Sequence, residues 1–283
     1  MNWFLFVMIL ILITMGLYKA YKNTKQVAIN KLTIDEQPTD QPSVQLNVLQ
    51  ISDLHLENIS ITAEQLYEKI KHEPIDLIAL TGDFLDRKKS IPKLVPYLRV
   101  FNRLKPMYGT FAIYGNHDYV LRGENFDKLD QTLKNHGIRT MQNENVQLDI
   151  DGMNVNIIGI DDYSTSRSEF AQSYKGISDG YKLVLTHDPN AVLDMKNYHF
   201  DYLLSGHFHG GQILYPKAYH LVKMGKLPRM NMVKGLQTYD GKSFYISEGL
   251  GQTGVNIRVG SRPEITFHKL NIPAITKTKQ QVS

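Results

Sequence analysis

An almost wholly apolar run, "WFLFVMILILITMGL" from Trp3 to Leu17, opens the chain and gives way to Lys19, Lys22 and Lys25. At ~1.5 Å per helical residue, Trp3 to Tyr18 covers ~24 Å, slightly under the ~30 Å hydrocarbon layer of a bilayer. Flanking aromatic and lysine side chains absorb such a mismatch. The run predicts one transmembrane helix within residues 1–22, an anchor that makes the cell membrane a partner. A cleaved signal peptide is the competing reading. It normally carries basic residues ahead of the apolar run and small residues at its end. Here nothing basic but the amino terminus precedes Trp3, and Leu17, Tyr18 and Lys19 are bulky. Lysines after the span place the remaining chain in the cytoplasm by the positive-inside rule, with an exported domain as the alternative.

Residues 23–43 are polar, include "DEQPTDQPS" and lack apolar periodicity, so they read as a linker. From 44 to 272 the pattern becomes that of one globular domain, and 273–283 read as a frayed tail. Within the domain, short β-branched runs each stop at a polar loop. "LNVLQIS" (Leu46–Ser52) leads to Asp53 and His55, "IDLIALTG" (Ile75–Gly82) to Asp83, and "GTFAIYG" (Gly109–Gly115) to Asn116, His117 and Asp118. "NVNIIGI" (Asn154–Ile160) leads to Asp161 and Asp162, "YKLVLT" (Tyr181–Thr186) to His187, and "FDYLLSG" (Phe200–Gly206) to His207 and His209. "SFYIS" and "EITFHKL" follow. Helical patterns separate the early strands. "TAEQLYEKIKHE" opens with Thr62 as a cap and Gln65 three residues on, and "KLVPYLRVFNRL" and "FDKLDQTLKNHG" are amphipathic, the last stopping at Gly137. Strand–helix alternation predicts parallel pairing early in the chain, while the later strands read as a meander. The fold class is mixed α/β.

Composition narrows the chemistry. The 283 residues include no cysteine, which excludes disulfides and thiolate metal sites, so any metal must be held by oxygen and imidazole. A net charge of +4 is too mild to imply nucleic acid, and no extended basic groove laced with aromatics is visible. Across the carboxyl ends of five strands stand aspartate, asparagine and histidine, where α/β sheets gather their ligands. One converging site follows. Two divalent cations a few ångströms apart repel each other, so one carboxylate must bridge them, and each needs further imidazole or oxygen ligands. Such a pair, ~3.5–4 Å apart, clamps a phosphoryl group and turns a bridging water into hydroxide near neutral pH. Asp53, His55, Asp83, Asn116, His187, His207 and His209 supply that inventory, with Asp83 as the natural bridge. His117 is a candidate proton donor to the leaving oxygen, with Asp118 behind it as its orienting carboxylate.

DLH, GD, GNHD, THD and GHFH, in this order and on strand ends, resemble the calcineurin-like metallophosphoesterase superfamily. The resemblance implies a four-layer α/β/β/α sandwich of two mixed β-sheets flanked by helices. It implies Asp53, His55 and His209 on one metal, Asn116, His187 and His207 on the other, Asp83 bridging, and His117 as the catalytic histidine paired with Asp118. It implies two divalent ions, manganese, iron or zinc, with manganese favoured. "GHFHGGQ" together with the apolar span is similar to bacterial membrane-associated members that include UDP-2,3-diacylglucosamine pyrophosphatases. Phe208 departs from the threonine more usual there, which puts the pocket wall in question.

Other residues read more plainly. His72, His136, His199, His220 and His268 lack matching partners and are ordinary surface or core histidines, Asp161 and Asp162 are structural, and Asp188 caps a helix starting at Pro189. The segment from Tyr215 to Gln237 carries Lys217, Lys223, Lys226, Arg229 and Lys234 without an acid, interleaved with Met224, Met230 and Met232. It either overhangs the site towards an anionic or lipidic partner or is a solvated excursion with its methionines packed inward. The expectation is a membrane-anchored, binuclear-metal phosphoesterase acting on a phosphodiester or pyrophosphate bond, in a lipid-linked substrate such as UDP-diacylglucosamine. The alternatives are a phosphomonoesterase, a nuclease or a non-catalytic metal-binding scaffold on the same fold.

Overall fold

The computed structural model describes residues 2–35, 43–214 and 216–273. The apolar run forms α1 (Asn2–Asn23), followed by β1 (Ala28–Asp35), β2 (Ser43–Ile51), α2 (Ala63–Ile70), β3 (Leu77–Thr81), α3 (Ile91–Leu104), β4 (Thr110–Ile113), α4 (Gly123–Lys134) and β5 (Ile138–Thr140). The second half holds β6 (Glu144–Ile150), β7 (Met153–Gly159), β8 (Tyr181–Leu185), β9 (Tyr202–Ser205), β10 (Gly235–Tyr239), β11 (Lys242–Ile246) and β12 (Glu264–Pro273). Beyond Pro273, the expected frayed tail lies outside the described residues, as do residues 36–42 and Tyr215.

The strands build two six-stranded mixed sheets, ordered β1-β12-β2-β3-β4-β5 and β10-β11-β9-β8-β7-β6. Their unbroken apolar runs are explained by cover on both faces. Along β2 and β3, Leu46, Val48, Leu77 and Ala79 point between the sheets, where they meet Ile157, Leu183, Leu185 and Leu204. The intervening Leu49, Ile51, Ile78 and Leu80 point outward into a second core with Leu66 and Ile70 of α2, Leu94, Leu98 and Phe101 of α3, and Leu129 and Leu133 of α4. The outer face of the other sheet packs Val184, Leu203, Phe244 and Ile246 against short helical turns carrying Val192, Met195 and Leu227. Helix α2 begins with the expected capping box: Thr62 Oγ1 accepts from the Gln65 amide at 3.2 Å, and Gln65 Oε1 accepts from the Thr62 amide at 2.9 Å.

Two expectations are corrected. The stretch read as linker contains β1, which pairs in parallel along β12 at the sheet edge. An edge strand with one solvated face carries too little apolar signal to be seen alone, and its partner lies at the far end of the sequence. The later strands are not a meander either. β7, β8, β9 and β11 run parallel, and only the outer pairs β6/β7 and β10/β11 are antiparallel. Long turn-rich connections, such as 186–201 between β8 and β9, provide the crossovers that helices provide in the first sheet.

A buried polar network ties the sheets together just below their carboxyl ends. Gln50 Nε2 donates to Thr81 Oγ1 at 3.1 Å and to the Ser205 carbonyl at 2.9 Å. His268 Nε2 lies 3.0 Å from Gln50 Oε1, and its Nδ1 lies 3.1 Å from the Tyr202 hydroxyl. Burial pushes the His268 pKa down to about 3, so the ring is neutral, accepting from Tyr202 and donating to Gln50. Between pH 3 and 6.5 the unfolded chain binds a proton here that the folded chain refuses, so folding stability rises with pH across that window. The stability advantage of the wild type over His268→Gln, measured by chemical denaturation, is accordingly expected to shrink as pH falls from 7 to 5, by up to ~1.4 kcal/mol per pH unit. A difference that does not change with pH would contradict this.

Candidate metal centre

The carboxyl ends of β2, β3, β8 and β9 deliver Asp53, His55, Asp83, His187, His207 and His209 to one place, and β4 brings Asn116 there one residue before His117, which groups with His55 and Asp83. Each strand stops abruptly to do so. Asp53 (φ 50°), His55 (φ 35°), Asp83 (φ 55°), His207 (φ 76°) and His209 (φ 50°) all have left-handed backbone, which costs a non-glycine residue on the order of 1–3 kcal/mol. Close approach does the rest. A Cβ at Gly115 would collide with the Asp83 carboxylate, and one at Gly206 with Ser52 and Asp53.

Ligand-type atoms converge in groups. Asp53, His55 and His209 form one triad and Asp83, His187 and His207 another, with the donor atoms of each inside 4.8 Å; His55, Asp83 and His117 form a third group. Asp83 Oδ2 lies 3.0 Å from His187 Nε2 and 3.5 Å from His55 Nε2, so its carboxylate faces both triads. Asp53 Oδ1 is 3.4 Å from His209 Nε2. Imidazole nitrogens meet in pairs: His55 Nε2 and His209 Nε2 at 3.1 Å, His187 Nε2 and His207 Nδ1 at 3.2 Å. The outward nitrogens of two rings are already engaged, His55 Nδ1 with Asp86 Oδ1 at 2.9 Å and His187 Nδ1 with the Thr81 carbonyl at 2.8 Å. Such outer partners fix the tautomer that turns a ring's other nitrogen inward as a ligand.

Electrostatics favour positive charge between these groups. Burial opposes protonation of His55, yet hydrogen bonds to Asp83 and Asp86 raise it to about 10. His187 is also buried, and the Asp83 charge lifts it well above the ordinary imidazole range. Burial would raise Asp83, but His187 and His55 hold it well below the usual carboxylate range. His207 and His209, buried and beside the charged rings, are lowered. The buried Asn116 Oδ1 has no hydrogen-bond partner. A buried carbonyl oxygen without a donor, one residue before His117 and beside buried imidazoles grouped around a carboxylate, fits a divalent cation of the manganese, iron or zinc type.

The family model described as "Calcineurin-like phosphoesterase" matches residues 46–211. The chain belongs to the calcineurin-like phosphoesterases. It is 61% identical over 254 residues to the uncharacterized metallophosphoesterase YkoQ of Bacillus subtilis (strain 168), covering 90% of this chain and 94% of that protein. It is 29% identical over 230 residues to metallophosphoesterase YkuE of the same organism, covering 79% and 78%. To phosphodiesterase YaeI of Escherichia coli (strain K12) it is 26% identical over 226 residues, covering 79% and 81%. The protein is a metal-dependent phosphoesterase.

Two sequence expectations about this phosphoesterase change. Asp118 does not orient His117. Its Oδ2 accepts from the amides of Asp83 (2.9 Å) and Gly115 (3.0 Å), and its Oδ1 from that of Phe84 (2.9 Å). It thus braces the strained turn that presents Asp83. The partner of His117 is Asp86, whose Oδ1 lies 2.9 Å from both His117 Nδ1 and His55 Nδ1. Asp86 went unread, although it stands three residues after Asp83 in "GDFLD". Phe208 forms no pocket wall, since it is buried in the core outside the second sheet, its ring centroid 5.3 Å from that of His207. The basic segment folds as two helical turns, Tyr219–Met224 and Lys226–Arg229, that bury Leu221 and Leu227. Arg258 was also missed: its buried guanidinium donates to the carbonyls of His209 (2.9 Å), Glu248 (2.7 Å), Gly249 (3.1 Å) and Gly251 (2.7 Å).

Because Asp86 stands behind the candidate ligand His55 as well as His117, Asp86→Asn is expected to weaken manganese binding about 10–100-fold, the usual cost of losing a carboxylate behind a histidine ligand. Calorimetric titration of metal-free protein measures it. Unchanged affinity would show that the Asp86–His55 bond plays no part in holding metal.

Proposed function

We propose that the protein is a membrane-anchored phosphoesterase that holds two divalent cations, manganese favoured, and hydrolyses a phosphodiester or pyrophosphate bond in a lipid-linked substrate. The observation that carries this reading is the shared carboxylate of Asp83, which faces a triad on either side. Asp53, His55 and His209 would hold one ion, Asn116, His187 and His207 the other. Bound there, the pair would lower the pKa of a water and neutralise charge growing on the phosphoryl oxygens.

The chain's own residues supply the remainder. His117 is partly exposed, and its Nδ1 is tied to Asp86, so the ring is held with its other nitrogen free to give a proton to the departing oxygen. Asp86 and the Asp83 charge raise the His117 pKa against the effect of burial, which keeps that proton available. The amide of His117 donates to Asp83 Oδ1 at 2.9 Å, so the proton donor and the bridge move as one unit.

The anchor reading rests on α1. It is the one helix among the described residues long and apolar enough to cross a bilayer, and Trp3, Phe4, Leu12 and Met15 along it are exposed. Its last turn is fastened to the domain: the Arg258 amide donates to the Ala20 carbonyl at 2.9 Å, and Asn23 Nδ2 donates to the Arg258 carbonyl at 2.8 Å. The side chain of that same arginine donates to the His209 carbonyl, a tie between the foot of the span and a candidate ligand that supports a substrate presented from the membrane. Lys19, Lys22 and Lys25 support a cytoplasmic domain.

His117→Ala is expected to keep two metals per chain while turnover of bis(4-nitrophenyl) phosphate falls by about 10²–10⁴-fold. Asp83→Ala is expected to lose the pair. Metal analysis of both purified variants alongside the kinetics checks this, and two metals retained in Asp83→Ala would contradict the bridging role.

A further inference from the structure

Beside the metal site lies a cleft of ≈ 670 Å³ lined by Asn116, Tyr119, Val120, Arg122, Thr165 and Arg167. Asn116 belongs to both, so the cleft begins where the candidate ligands end. Its two arginines come from different parts of the chain. Arg122 follows the short turn Asp118–Leu121 and has a left-handed backbone (φ 50°), an uncommon conformation for a side chain of this size. Arg167 stands on the loop after β7, where its amide donates to the Asp162 carbonyl at 3.0 Å and its carbonyl accepts from Asn143 Nδ2 at 2.8 Å.

Arg167 is also held flat. Its guanidinium carbon lies 4.0 Å from the centroid of the Tyr119 ring. That ring stacks on Phe126 (centroids 4.9 Å apart, planes at 17°), and its hydroxyl donates to Asp161. The acid nearest to Arg167's platform is therefore already engaged. Among the described residues neither arginine has an ion-pair partner, although Lys234, Arg103 and Lys134 each find a carboxylate. Two guanidinium groups, one pre-stacked, open onto a cleft that starts at a metal ligand and offers them no anion. Planar forked donors of this kind suit the bidentate geometry of phosphate.

We infer that this cleft is an anion subsite in which Arg122 and Arg167 bind a second phosphate next to the one attacked, so that the preferred substrate carries a pyrophosphate linkage. The inference rests on the phosphoesterase reading and sharpens it. In the hydrolysis, a water oxygen bonds to the attacked phosphorus and the bond from that phosphorus to the bridging oxygen breaks. The bridging oxygen leaves with its electron pair on the second phosphate, and the water gives up one proton to solvent. The two arginines hold the second phosphate before cleavage and offset the charge that builds on it as the bond breaks, before the proton of His117 reaches the departing oxygen.

The test compares two non-hydrolysable probes on the manganese-loaded full-length protein by calorimetry: methylenediphosphonate, with two phosphoryl groups, and methylphosphonate, with one. The wild type is expected to prefer the diphosphonate. In the Arg122→Ala/Arg167→Ala double variant that preference should fall by about 10–100-fold, one factor of ten for each ~1.4 kcal/mol of lost contact. Both side chains are exposed, so folding is not at risk, and a matching melting temperature and metal content verify that. An unchanged preference, equal loss of both probes, or no preference in the wild type would overturn the subsite. Because binding is read without turnover, a wild type that prefers the diphosphonate yet cleaves no phosphate ester would instead refute the catalytic reading.

Discussion

The carboxylate of Asp83 is the group on which the rest of the structure depends. It is buried, it stays ionised, and it faces histidines of two different triads. A buried anion is tolerated only when positive charge and donors surround it. Much of the architecture answers that requirement. β3 and its neighbours end together, Asp118 takes up the amides of the turn, and Gly115 leaves the space that any side chain would fill. The left-handed backbone of five candidate ligands is the local cost of turning side chains inward directly after a strand. The covered sheets below are stiff enough to hold it.

That stiffness is shared between the sheets. Gln50 links β2 to β3 and β9, and His268 carries the same network to β12, just beneath the turns that bear Asp53, Asp83 and His207. Above it, Arg258 gathers the carbonyls of His209, Glu248, Gly249 and Gly251 and is fastened through its own backbone to the end of α1. The foot of the apolar helix and the floor of the site are thus joined by one residue.

How much of this could be read in the sequence follows from the range of each interaction. The seven ligand-type residues were legible because strand ends converge in any α/β sheet, so a polar residue after each apolar run points to a common place. The capping box at Thr62 was legible because it is contained within four residues. The partner of His117 was not. Asp118 is adjacent in sequence, but the turn carries it down onto the amides, while Asp86 reaches across from the loop after β3. β1 was hidden because its pairing with β12 is long-range and one face is wet, and Arg258 because a buried arginine binding only carbonyls leaves no charge pattern. Phe208 looked like a pocket residue from its place between two histidines, yet it points to the opposite face of the turn, into the core.

Asp83 is proposed to join two metal sites into one centre. Electron paramagnetic resonance of protein loaded with manganese tests it most directly, since the spectrum depends on whether the ions share a bridge. Two manganese ions per chain giving the broad signal of a spin-coupled pair is the predicted result. One ion per chain, or two that each give an isolated six-line spectrum, would contradict it.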